Sequence, residues 1–207
     1  MKLAYLDLAL DSSGPPAVLL HREGVTSTAD AIEFAEGCGL FGRAAVPTGE
    51  YAFYPSGMSI GGTCWYRMLP GFEGTDPISL TTAVVEVADL RDDLGLDRPV
   101  LLGWGQGAVV ALAAGVWQSD AVGAVVCVDA NVRHLELLPP AVLVAPSPPP
   151  VLLVASGTAQ APALEQQEKL LASHNIGATS WCWSGGGTKD DFDRDLADRI
   201  GRWIDHE

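Results

Sequence analysis

Short apolar runs alternate along the chain with stretches in which apolar residues recur every three or four positions. The runs "PAVLLH" (16–21), "RAAVP" (43–47), "PVLLGW" (99–104), "AVGAVVCVD" (121–129), "PVLLVAS" (150–156) and "ATSWCW" (178–183) have strand length. Most are too continuously apolar to carry a solvent face, the pattern of strands covered on both sides. The opening "MKLAYLDLAL" reads as a further strand, because Asp7 breaks the apolar stretch and no small-residue cleavage site follows it. Leu80, Ala83, Val84, Val87, Leu90 and Leu94 fall on one helical face, and Gly95 supplies a stop signal. Residues 107–117 are apolar on every side, which predicts a helix enclosed by the sheet and its neighbours. Repeated alternation of this kind predicts an α/β protein, a mostly parallel sheet with helices on both faces. One domain over residues 1–207 is expected, with "APSPPPV" (145–151) as a stiff connection inside it.

Charge narrows the partners. Twenty-six acidic residues against twelve basic ones give a formal net charge of −14, which repels phosphate backbones and anionic lipid heads. Neither nucleic acid nor a membrane is expected as a partner. Cys38, Cys64, Cys127 and Cys182 form no C-x-x-C pair, and the last two lie in apolar runs, as reduced core residues of a cytoplasmic protein would. No metal site and no cofactor is predicted.

The stretch "LLGWGQGAVVAL" (101–112) reads as a buried strand, a tight glycine turn and a helix. It admits two readings. Gly103, Gly105 and Ala108 fit G-x-G-x-x-A, with Asp129 ending the next strand where a ribose-binding acid would sit. The same residues also fit the frame of a nucleophile elbow, G-x-S-x-G, with glycine in place of the serine.

Four stretches in order carry a resemblance from about residue 16 onward. "VLLHREG" resembles an oxyanion loop written L-H-G-x-G, and "LLGWGQGAVVAL" resembles the elbow. "PVLLVASGTAQAPALEQQEKL" is similar to an acid loop, G-T-x-D followed by a helix, and "WSGGGTKDDF" to a histidine loop, G-G-H. Together they resemble the small phospholipase/carboxylesterase-type serine hydrolases of the α/β-hydrolase superfamily. The resemblance implies an α/β-hydrolase fold with a minimal lid or none. It also implies a triad, and each position of that triad is altered. Gly105 stands for the serine, Gln160 for the aspartate and Thr188 for the histidine. Such chemistry needs a hydroxyl to attack, an imidazole to take its proton and a carboxylate to hold the imidazole. At the oxyanion-loop equivalents, Glu23 and Gln106, a carboxylate at Glu23 would oppose the negative charge that the site must bind. Arg22 replaces the loop's first glycine.

Other groups are candidates for an inherited pocket. His21 is expected to pack behind the oxyanion loop. His134, in the loop after the 121–129 strand, reads as a surface histidine or as a surviving acid–base group near Glu23 or Asp129. Trp65, Tyr66 and Met68 in "GTCWYRMLPGF" read equally as pocket wall or as core, and Trp104 flanks the elbow. The expectation is therefore a pseudo-hydrolase that binds a small molecule or a protein partner, with homo- or hetero-oligomers open. The alternatives are a lyase, cyclase or isomerase in the inherited pocket, and a hydrolase with a relocated catalytic apparatus.

Overall fold

The computed structural model describes residues 3–24, 27–53, 62–68, 74–185 and 188–204. Seven strands form one sheet: β1 (Tyr5–Ala9), β2 (Pro16–Leu20), β3 (Arg43–Pro47), β6 (Val100–Trp104), β7 (Ala124–Val128), β8 (Val151–Ala155) and β9 (Ala178–Cys182). Their order is β1-β3-β2-β6-β7-β8-β9. Only β1 runs antiparallel, against β3, and every other pairing is parallel. Each strand predicted from its apolar run is present within a residue or two at the N-terminal end and three for β7. Two short strands, β4 (Tyr51–Phe53) and β5 (Gly62–Cys64), pair apart from the main sheet. Three residues each give no alternation to read, so they were not expected.

Helices cover both faces. On one lie α2 (Pro77–Leu94), α3 (Gln106–Trp117) and α4 (Ala161–Ser173); on the other lie α1 (Ser27–Cys38) and α5 (Lys189–Ile204). Helix α2 starts where Asp76 accepts the Ile78 N–H at 3.1 Å. It ends at Gly95, whose φ of +59° suits a left-handed cap and whose N–H returns to the Arg91 and Asp92 carbonyls. In α3 every residue from Gln106 to Val116 is buried, the enclosure that its uniform apolarity foretells. Helix α5 buries Phe192, Leu196, Ile200 and Trp203 from an otherwise charged sequence, a 3.6-residue stripe that sequence inspection could have registered. Among the described residues no helix is long and apolar enough to cross a membrane. All four cysteines are free.

Candidate functional site

Parallel register fixes the site. Leu20 pairs with Gly103, Gly103 with Cys127, Val128 with Val154 and Ala155 with Cys182, so the segments after β2, β6, β7, β8 and β9 leave the sheet along one edge. Ligands of open α/β sheets sit at this carboxyl edge. The β6–α3 turn stands at its middle. Gly103 and Gly107 frame it by necessity: a Cβ on Gly103 would lie 2.3 Å from the Gly107 carbonyl oxygen, and one on Gly107 would lie 2.4 Å from that of Leu20. Between them Gly105 adopts φ +55°, ψ −116° and donates its N–H to the Val128 carbonyl at 2.9 Å. That is a sharp strand-to-helix corner, held in a conformation that only glycine adopts without strain.

The Glu23 carboxylate lies against the β6–α3 turn. Its Oε2 accepts the Gln106 N–H at 3.0 Å, the donor that follows the elbow residue at the N-terminus of α3. A Cβ on Gly105 would lie 2.7 Å from the same oxygen. A second anion at this N–H would meet the Glu23 carboxylate directly. That carboxylate is itself the anion held at the N-terminus of α3, by the Gln106 N–H. The dinucleotide reading meets the same obstacle, since a pyrophosphate would have to share the N-terminus of α3 with this carboxylate.

Packing explains the neighbours. His21 is buried, and its Nε2 accepts the Gly49 N–H at 2.9 Å, so Nδ1 carries the proton and donates to the Arg22 carbonyl at 2.6 Å. Burial holds its pKa below the ordinary histidine value, and the ring stays neutral. Trp65 Nε1 donates to the His21 carbonyl at 2.7 Å, and Gln106 Oε1 accepts the Trp65 and Tyr66 N–H groups at 3.0 and 3.4 Å. Gln106 thereby ties the 65–66 segment to the elbow. Tyr66 is 1% exposed, and its hydroxyl meets His134 Nδ1 at 2.7 Å; the other ring nitrogen of His134 faces Asn131 Nδ2 at 3.1 Å. Burial, reinforced by the Glu23 charge, pushes the Tyr66 phenol far above its usual range, while burial lowers His134, so the pair is neutral. Met68 packs against the core, with Thr75 donating to its sulfur at 3.6 Å.

A cavity of about 380 Å³ opens beside the elbow, on the α1 and α5 side of the sheet. His21, Glu23, Trp104, Asp129 and Thr188 line it, together with Phe34, Ser156, Trp183, Lys189 and Phe192, which were not anticipated. Ser156 and Trp183 follow strands β8 and β9 directly, so their position at a carboxyl edge could have marked them. Phe34 and Phe192 come from helices that only packing brings there. Trp65, Tyr66, Met68 and His134, which the sequence left open as candidates for the pocket, do not line this cavity. Trp65 and Tyr66 are core on the α2–α3 face, a large aromatic pair whose polar atoms all find internal partners. Residues 69–72 of "GTCWYRMLPGF" and 186–187 of "WSGGGTKDDF" lie outside the described residues.

Asp129 is held firmly. It sits at φ +51°, and its carboxylate accepts the Ser156 N–H at 2.8 Å, the Ser156 hydroxyl at 2.6 Å and Arg22 Nη2 at 3.3 Å. Thr188 serves the helix behind it: its N–H and hydroxyl donate to Asp191 Oδ2 at 2.9 and 3.0 Å, and its oxygen accepts the Asp191 N–H at 3.3 Å. This reciprocal pair caps α5. Gln160 is exposed and does not line the cavity. Residues 105, 160 and 188 are therefore a glycine, an exposed amide and a helix cap.

Solved structures settle the architecture. The crystal structure of esterase PE8 superposes with a TM-score of 0.70 and 22% identity, covering 99% of this chain and all of that one. The chain has the α/β-hydrolase fold. The carboxylesterase of Bacillus cereus matches this fold with a TM-score of 0.66 and 17% identity over 99% of the chain and 94% of its own. Acyl-protein thioesterase 2 of Zea mays matches with 0.68 and 13% identity, over 97% and 99%. No protein-family model matches the sequence, and no curated protein matches it at a significant level.

Proposed function

We propose that this chain is a pseudo-hydrolase, a protein of the α/β-hydrolase fold that performs no acyl transfer and binds a small molecule in the cavity beside its elbow. One observation carries the reading. Glu23 Oε2 sits on the Gln106 N–H and within 2.7 Å of where a Cβ of residue 105 would start. A substrate carbonyl would need both places, one for its oxygen and one for the attacking atom. The ester and thioester chemistry in the names of the similar structures depends on such an attack, and the residues at 105, 160 and 188 offer no nucleophile, base or orienting acid. Binding remains open to the protein because the cavity has the size of a small-molecule site and mixes aromatic walls with convergent polar groups.

Incubation with a fluorophosphonate probe and with short-chain p-nitrophenyl esters tests the first half. No covalent adduct and no turnover above buffer is the expected result; a stoichiometric adduct or saturable esterase activity would overturn it. A thermal-shift screen of metabolites tests the second half, with stabilisation that is lost in Trp104→Ala as the expected result.

A further inference from the structure

Resting on the reading of the elbow cavity as a ligand site, we infer that its ligand is an organic cation, an alkyl- or arylammonium with an apolar body. Two independent features of the wall point the same way. The first is charge. Four carboxylates, Glu23, Asp30, Asp129 and Asp193, face the cavity against two cations, Arg22 and Lys189. Both cations are already engaged within the lining: Arg22 reaches Asp129 at 3.3 Å, and Lys189 Nζ reaches Asp193 Oδ2 at 2.6 Å. An entering anion would have to break one of these pairs, and would meet an excess of two negative charges. An entering cation meets an attractive field, to which the −14 of the whole chain adds.

The second feature is the aromatic wall. Trp104 meets Phe34 edge to face at 5.3 Å, and Trp183 meets Phe192 in the same way at 5.3 Å, so two braced aromatic pairs line the cavity. Trp183 is further held by its Nε1, which donates to Asp195 Oδ2 at 2.9 Å. Indole faces are the best side-chain partners of an ammonium group. They also offer apolar surface to the rest of such a ligand. Neutral His21 adds no opposing charge.

The experiment measures binding of three small probes to the intact protein by tryptophan fluorescence and calorimetry: benzyltrimethylammonium, neutral phenylacetamide and anionic phenylacetate. Benzyltrimethylammonium is expected to bind at least tenfold more tightly than the other two. Glu23→Gln and Trp104→Ala should each weaken it about tenfold or more, whereas Asp198→Asn, remote on α5, should leave it unchanged. Urea unfolding of each variant confirms that it is folded. Tighter binding of phenylacetamide or phenylacetate would overturn the assignment of a cation while leaving the cavity as a ligand site. Absence of binding by all three probes would overturn both this inference and the small-molecule reading on which it rests.

Discussion

Replacing Gly105 by serine restores the hydroxyl to the elbow and puts its energetics to measurement. At φ +55° and ψ −116° a residue with a Cβ is strained by about 1–3 kcal/mol. The new Cβ would also lie 2.7 Å from Glu23 Oε2, so the carboxylate must swing away and give up the Gln106 N–H. Because Glu23 is half-buried and water can replace part of that bond, its loss costs about 1 kcal/mol. Together the destabilisation is about 2–4 kcal/mol, which at a urea dependence of about 2–3 kcal/mol per molar lowers the unfolding midpoint by about 1 M. A double-mutant cycle separates the two parts. In a Glu23→Ala background the serine should cost only the strain, leaving a coupling of about 1 kcal/mol between positions 23 and 105. Ester turnover should stay absent in both backgrounds, since Thr188 caps α5 and Gln160 lies away from the cavity. Equal cost in both backgrounds would refute the account of Glu23 as the occupant of the nucleophile's place. Unchanged stability would refute the strain, and esterase activity in Gly105→Ser would refute the pseudo-hydrolase reading.

Gly107→Ala should cost about 3 kcal/mol, because its Cβ would meet two backbone oxygens at 2.4 and 2.5 Å, whereas Gly37→Ala, with open space around it in α1, should stabilise by about 0.5 kcal/mol; urea midpoints check both. Burial lowers the pKa of both His21 and His134, so the unfolded chain takes up their protons first. The stability each contributes is complete above about pH 6.5 and is lost as pH falls through the folded-state value. The urea midpoint should therefore drop between pH 7 and pH 5, and more steeply than in the His21→Gln/His134→Gln double variant. Identical slopes in the two proteins would contradict this. Thr188→Ala should destabilise by about 1 kcal/mol through loss of the α5 cap while Thr188→Ser stays near neutral, read by hydrogen exchange in the first turn of that helix.

The buried strands, the enclosed helix α3, the Gly95 stop of α2 and the glycine frame of the elbow were legible in the sequence. Each is a local matter: continuous apolarity, helical period and backbone conformation depend on residues close in the chain. The glycine turn at 103–107 was legible for the same reason. Strands β4 and β5 and helix α1 were not, the strands because three residues carry no period. Nor could sequence show what lies against Gly105. Glu23 reads as a charge that would weaken an oxyanion site, and it meets the Gln106 N–H only because parallel register sets the end of β2 beside the end of β6. The partition of the aromatic residues was decided in the same way. Trp65 is sealed on the α2–α3 face, while Trp104 opens onto a cavity with Phe34. Which side of the sheet a loop crosses to is settled by the packing of helices far apart in the chain, and no local pattern records it.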